Sequence, residues 1–391
     1  MTTLWATIVV LGVLVTVHEL GHFLAARSVG VRVDRFSIGF PPRLITFISM
    51  DNGWLFRVYF YHLNEDRKLI WGPILEKTIN VTGKTGSGTE YCLALIPLGG
   101  YVKMAGSIDE SLDENISHAD DELMSKSHLA QAWVMSAGVI ANVLLAFVLF
   151  AGVAKYTGIP EFTNEPVIAQ LVPNMPAEDI GLRVGDRILS VNGDKIETWS
   201  DISSIIHALP NTEISLTIER DVEQFDIDVK TKFQVAVIDG RLDTLGAIGI
   251  IQKYYFQPIG FVEAIQTGFI ATANGFGMII MSLSMLASGE ASLKDIGGPI
   301  MIAQLAGKTA KAGWTALLMF MALISCNLAF INILPIPGLD GGHILIIAIE
   351  GIMRRKLSIK VRMVIQQVGM AFLLLLVATV IVNDIGRLIA Q

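Results

Sequence analysis

Five stretches of this chain are apolar for long enough to cross a bilayer, and nothing else in the sequence constrains its fold as strongly. Crossing the hydrocarbon core takes about 20 residues at 1.5 Å each. Residues 4–26, 129–154, 264–289, 312–339 and 363–383 reach that length. Of the 391 residues, 52% are hydrophobic and 17% charged, against about 25% charged in an ordinary soluble domain. The pattern predicts a polytopic α-helical membrane protein, since a helix satisfies its own peptide groups in lipid. A net charge of −7 argues against a general nucleic-acid partner. Cys92 and Cys326 show neither metal spacing nor a disulfide framework. No cleavable signal peptide is expected, because the first apolar run leads straight into His18 and Glu19.

Charge orients the spans. Arg27, Arg32, Arg35 and Arg43 follow the first stretch, and Arg354, Arg355, Lys356, Lys360 and Arg362 separate the fourth from the fifth. The positive-inside rule puts both clusters in the cytoplasm and both chain ends outside. They share a side only if an even number of crossings separates them. The expectation is therefore four transmembrane helices, within 1–27, 128–155, 312–345 and 363–383. The third stretch, rich in Gly, Ser, Thr and Asn, is expected to belong to an interfacial amphipathic region over 258–311. Residues 28–127 then lie in the cytoplasm. In the external segment, 165–232 reads as a small α+β domain. Strands are predicted at 167–172, 187–191, 214–219 and 225–230, with a helix over 199–209 and a turn at Asn192-Gly193.

The chemistry sits in two places. His18-Glu19-Leu20-Gly21-His22 sets two imidazoles four residues apart on one helix face, where both can bind one metal. Glu19 stands beside them as a candidate base for activating water. A carboxylate in a bare span costs about 2.5–3.5 kcal/mol on insertion scales, so such a cluster demands a function. A catalytic zinc takes three protein ligands and one open position. Residues 23–27 offer no third ligand, and Asp34 is equally a solvated carboxylate. Asp340 is the stronger candidate, within Asn332-Ile333-Leu334-Pro335-Ile336-Pro337-Gly338-Leu339-Asp340-Gly341-Gly342-His343. Two prolines there interrupt the helix, and irregular backbone at that depth must be buried or line a polar cavity. Four crossings put Asp340 in the leaflet half of His18 and His22, whereas five would separate them. The competing readings are a packing cluster, an ion path, which has no use for Glu19, and an inactive helix-binding protein.

With both motifs in hand, the chain resembles the site-2 protease family of intramembrane zinc metalloproteases, of the bacterial RseP-like type. Arg35-Phe36-Ser37-Ile38-Gly39-Phe40, Gly88-Thr89-Glu90-Tyr91, residues 96–104 and Gly297-Gly298-Pro299-Ile300 are similar to further family segments. The external unit, with Val191-Asn192-Gly193, resembles a PDZ domain. The resemblance implies a membrane-associated β region over 28–127 and one external PDZ domain. It implies one Zn2+ per chain on His18, His22 and Asp340, with Glu19 as general base. Asn332, supported by Asn327, would hold substrate or a developing oxyanion. Gly99, Gly100, Tyr101, Val102, Lys103 and Met104 would pair with an unwound substrate as an added strand, replacing the hydrogen bonds a helix loses on extension. The family often has Gly-Pro in the second span where this chain has Gly138-Val139; Asn142 just beyond either faces the cavity or packs helices. His343 either orients the site or caps a helix. The implied substrates are single-span proteins of a bacterial inner membrane, pre-trimmed by a site-1 protease, such as anti-sigma factors or remnant signal peptides. Residues 48–86 look like an inserted surface hairpin.

Overall fold

The computed structural model describes residues 2–63, 69–107, 119–238, 241–289, 292 and 297–390. The chain opens with helix α1 (Thr2–Ser28), strands β1 (Val33–Met50), β2 (Gly53–Leu63), β3 (Leu69–Asn80) and β4 (Glu90–Met104), then α2 (His128–Thr157). There follow β5 (Ile159–Phe162), β6 (Ile168–Leu171), α3 (Pro176–Asp179), β7 (Arg187–Val191), β8 (Asp194–Lys195), α4 (Trp199–His207), β9 (Glu213–Arg220) and β10 (Glu223–Lys230). The rest comprises β11 (Lys232–Ile238), β12 (Arg241–Ala247), β13 (Ile250–Gln252), β14 (Tyr254–Gln257), α5 (Phe261–Ser288), α6 (Pro299–Ala312), α7 (Trp314–Ile333), α8 (Asp340–Met353) and α9 (Ile359–Ala390). Two compact units result: Met1–Ala154 with Phe261–Gln391, and Lys155–Gly260.

In the first unit, α1, α2, α5, α7 and α9 are long and apolar enough to cross a membrane, among the described residues. The sequence reading expected an interfacial region over 258–311; this stretch forms two separate helices, α5 and α6. The small and polar residues that suggested an interface make a packing stripe on α5. Ala264, Gly268, Thr272 and Gly275 are its buried residues. A Cβ on Gly268 would press against Ala151 of α2, and one on Gly275 would touch Cys326 of α7. Small residues let helix backbones approach in just this manner.

The helix ends are tied at two levels. At one, Trp5 of α1 stacks near Trp314 of α7 (6.1 Å between ring centres), and Gly307 of α6 lies against Thr3. There the Asp384 carboxylate of α9 accepts hydrogen bonds from the Gly298, Ile300 and Met301 amides, capping α6. At the other, Lys356 donates to the Met124 carbonyl (2.8 Å). Glu350 of α8, fully buried, accepts from Arg362 of α9 and from the Leu357 amide.

The four-stranded sheet of this unit has the order β3-β2-β1-β4. Both β1 and β4 bend: residues 33–38 pair with 100–104, and residues 90–93 pair with both 35–38 and 45–48. The 100–104 arm belongs to an edge strand. Strands β2 and β3 form an antiparallel hairpin that extends the sheet through residues 53–63 and 69–80.

The second unit holds the sheet β10-β9-β7-β8 over an aliphatic core that includes Ile168, Ile188, Ile202, Leu216 and Ile218. Thr198 and Asp201 make a capping box at the start of α4. The predicted strands and helix fall within about two residues of β6, β7, β9, β10 and α4. The unit runs past residue 232, because β13 returns to pair with β6. A cavity of about 380 Å³ is lined by α4 residues Trp199, Ile202 and Ile206 and by residues 246–250. Burial pushes the Asp186 carboxyl up, but the Arg220 guanidinium and the Arg183 amide hold it below the usual carboxylate range.

Candidate metal centre

The first unit brings the two sequence motifs together. His18 and His22 lie on one face of α1, both buried. Asp340 opens α8, just past the turn made by Pro335 and Pro337. Glycines allow that turn: a Cβ on Gly341 would collide with the carbonyl oxygens of Ile333 and Leu334, and one on Gly342 with that of Ile336. Asp340 Oδ2 stands 3.2 Å from His18 Nε2 and 3.3 Å from His22 Nε2. The two Nε2 atoms are 3.2 Å apart.

The proton positions follow from the neighbours. His22 Nδ1 is 2.8 Å from the Val134 carbonyl oxygen. A carbonyl only accepts, so Nδ1 carries the proton and Nε2 points a lone pair inward. His18 Nδ1 lies 3.2 Å from the Asn142 side-chain amide. The Asn142 Oδ1 atom is buried without a partner among the described residues. Turning that amide over lets Oδ1 accept from a protonated His18 Nδ1, which leaves the His18 Nε2 lone pair inward too. Asp340 Oδ2 is likewise buried without a hydrogen-bond partner among the described residues. Three lone-pair atoms facing one another repel unless a cation sits among them. Two imidazoles and a carboxylate are the donor set that zinc accepts.

Helix α2 leaves room for this cluster through one residue. A Cβ on Gly138 would stand 2.4 Å from His22 Nε2 and 2.6 Å from His18 Cε1. The sequence marked Gly138 only as part of a departure from the family pattern. Its role is close approach: α2 passes over the imidazoles with no side chain between.

A cavity of about 740 Å³ opens onto the cluster. Its wall includes Glu19, the edge-strand residues Tyr101, Val102, Lys103 and Met104, and one face of α9. Val102 and Glu19 line the same cavity, so this arm of the strand borders the site. Gly100 lies close by; a Cβ there would sit 3.8 Å from Glu19 Cγ. Gly99 packs under Phe40. Asn332 Nδ2 is 3.3 Å from His18 Nε2. Asn327 is not brought to the cluster among the described residues: it stands five residues earlier on α7, about 140° round the helix from Asn332. His343 lines the cavity and has its Nε2 2.6 Å from the Gln366 amide of α9. Arg35 donates to Tyr101 Oη (3.0 Å) and to Glu90 (2.6 Å), which braces the edge strand from behind.

Apolar helices around a buried His, His, Asp cluster, with a glutamate beside it and a substrate-sized cavity, define a membrane metalloprotease. The chain belongs to Peptidase family M50, whose model matches residues 6–64 and 74–376. The start of β3, residues 69–73, falls between the two matched blocks. A Clostridium perfringens protein provisionally named a zinc metalloprotease is 33% identical over 373 residues, covering 95% of each chain. The regulator of sigma-W protease RasP of Bacillus subtilis is 30% identical over 424 residues, covering 99% of each. The PDZ domain of an SdrC-like protein from Listeria monocytogenes is 20% identical and covers 24% of this chain and 92% of that one, with a TM-score of 0.19. The protein is thus a zinc metalloprotease of the membrane.

Proposed function

We propose that this protein hydrolyses peptide bonds within or beside the transmembrane helices of single-span proteins in a bacterial inner membrane. The observation that carries this is the convergence of His18, His22 and Asp340, with ligand atoms all within 4.8 Å of one another, inside an apolar helical unit. His18, His22 and Asp340 hold the zinc. When bound, the ion supplies Lewis acidity that polarises a carbonyl and lowers the pKa of water. Glu19 takes the proton from the attacking water and later delivers it to the leaving amine. Asn332 donates to the oxygen on which charge develops. Asn142 fixes the orientation and tautomer of His18. Residues 99–104 receive the unwound substrate as an added strand.

Four crossings, by α1, α2, α7 and α9, suit both the basic clusters and the helix contacts. The α1 start, the α6 start, the α7 start and the α9 end are linked through Trp5, Thr3, Trp314 and Asp384. The α1 and α7 starts therefore fall on one side, which supports an even count of crossings between them, met by α1 and α2. The external unit, a PDZ domain by resemblance, turns away untrimmed substrates, so a site-1 cut comes first. The cavity beside α4 favours a second reading, in which a freshly cut C-terminus docks there. Removing the unit separates them: intact substrates become cleavable if it excludes, and trimmed ones are lost if it recruits.

The main test follows a tagged single-span substrate in cells carrying either wild type or Glu19→Gln. Cleavage should fall by about 10²–10⁴-fold with zinc content unchanged in the purified variant. Undiminished cleavage by Glu19→Gln would remove the assignment.

A further inference from the structure

The cavity has a second polar wall. Among its α9 lining residues, Gln366, Gln367, Met370, Ala371 and Leu374 share one helix face, at spacings of one, four, five and eight. Around them α9 is built for lipid: Val364, Val368, Phe372 and Leu375 are all about half exposed or more. Two adjacent glutamines in such a helix need a reason.

That reason follows from strand geometry and rests on the edge-strand reading above. An extended segment presents peptide groups to both of its sides. The 100–104 arm can satisfy one side only. The other side must find its partners in the rest of the cavity lining, which includes α9, and a helix has no spare backbone groups in its middle. In an apolar setting those substrate groups must find side-chain partners or remain unsatisfied.

We propose that Gln367 pairs with the far edge of the extended substrate, so that the substrate is clamped between a backbone rail and an amide side chain. Gln366 positions this wall. Its amide lies 2.6 Å from His343 Nε2, and His343 stands three residues after Asp340, on the first turn of α8. A close backbone contact fixes the height of the wall: a Cβ on Gly369 would be 2.0 Å from the Pro337 carbonyl oxygen. The loop that delivers Asp340 therefore also sets the level of Gln367. A side-chain amide offers both a donor and an acceptor, so it accepts many sequences and selects for an extended backbone.

The test uses the full chain in proteoliposomes and synthetic single-span substrates. In each substrate one amide near the scissile bond, but never that bond itself, is replaced by an ester. Wild type should show losses in two interleaved sets, alternate positions facing the edge strand and the single position facing Gln367, each about 10-fold, the worth of one hydrogen bond. Gln367→Met should cut kcat/KM on the all-amide substrate by about 10-fold and erase the ester penalty in one set only. Gln367→Asn, whose amide is one methylene short, should do the same and serves if the methionine variant loses zinc or unfolds. Wild-type activity in Gln367→Met, or lost activity with both ester sets intact, overturns the proposal and leaves the edge-strand reading standing. A wild type indifferent to every ester overturns both.

Discussion

The two units of this protein are held together by different means. The second has an aliphatic core, with Ile188, Leu216 and Ile218 fully buried, and a helix closed by a capping box. Its interior is interchangeable hydrocarbon, and moderate changes there cost moderate stability. Around the metal centre the first unit uses glycines and buried polar groups. Gly21 lies on the Ala137 carbonyl, Gly138 on the imidazoles and Gly369 on Pro337. Shape in that region leaves no slack, because what fills the space is backbone or a ligand and not a flexible side chain. Substitutions there should strike function first, while those in the second unit should strike stability first.

The comparison can be broken most forcefully at Gly138. Gly138→Ala puts a methyl 2.4 Å from His22 Nε2; we expect loss of zinc and cleavage reduced to background, read by metal analysis and substrate blots. A folded, zinc-loaded and active Gly138→Ala variant would refute the close-approach argument. A smaller effect is expected at Asn142. Asn142→Leu removes the partner of His18 Nδ1 and should weaken zinc affinity by about 10–100-fold, measured by competition with a chelator. The smallest is in the second unit. Thr198→Ala should lower that unit's stability by about 1 kcal/mol, seen as earlier thermal unfolding, with pre-trimmed substrates still cut at the wild-type rate. Slower cutting of trimmed substrates by Thr198→Ala would show that the two regions are not separable as described.

What could be read from the sequence follows the same division. The strands and helix of the second unit were legible because period-two and period-3.6 patterns are local. The candidate metal cluster was legible because His18, His22 and Asp340 are costly in apolar surroundings and so announce themselves. Gly138 was visible but mute: a glycine does not say what approaches it. The α5 stripe carried two meanings, since Gly268, Thr272 and Gly275 look polar in composition and also serve close packing. The Asp384 cap on α6 spans 86 residues, and no pattern in one sequence links such a pair. The adjacent Gln366 and Gln367 did carry a signal, two amides in an apolar span, which acquires meaning only once they are seen to line one cavity with an edge strand.

The most direct measurement reconstitutes the purified protein with one single-span substrate in proteoliposomes. The metal is stripped, zinc is returned, and the cut is located by mass spectrometry. The account predicts no cleavage without metal, recovery with zinc, and a new terminus inside or at the border of the apolar segment. Cleavage that persists without metal, or that falls only in the soluble flanks, would contradict it.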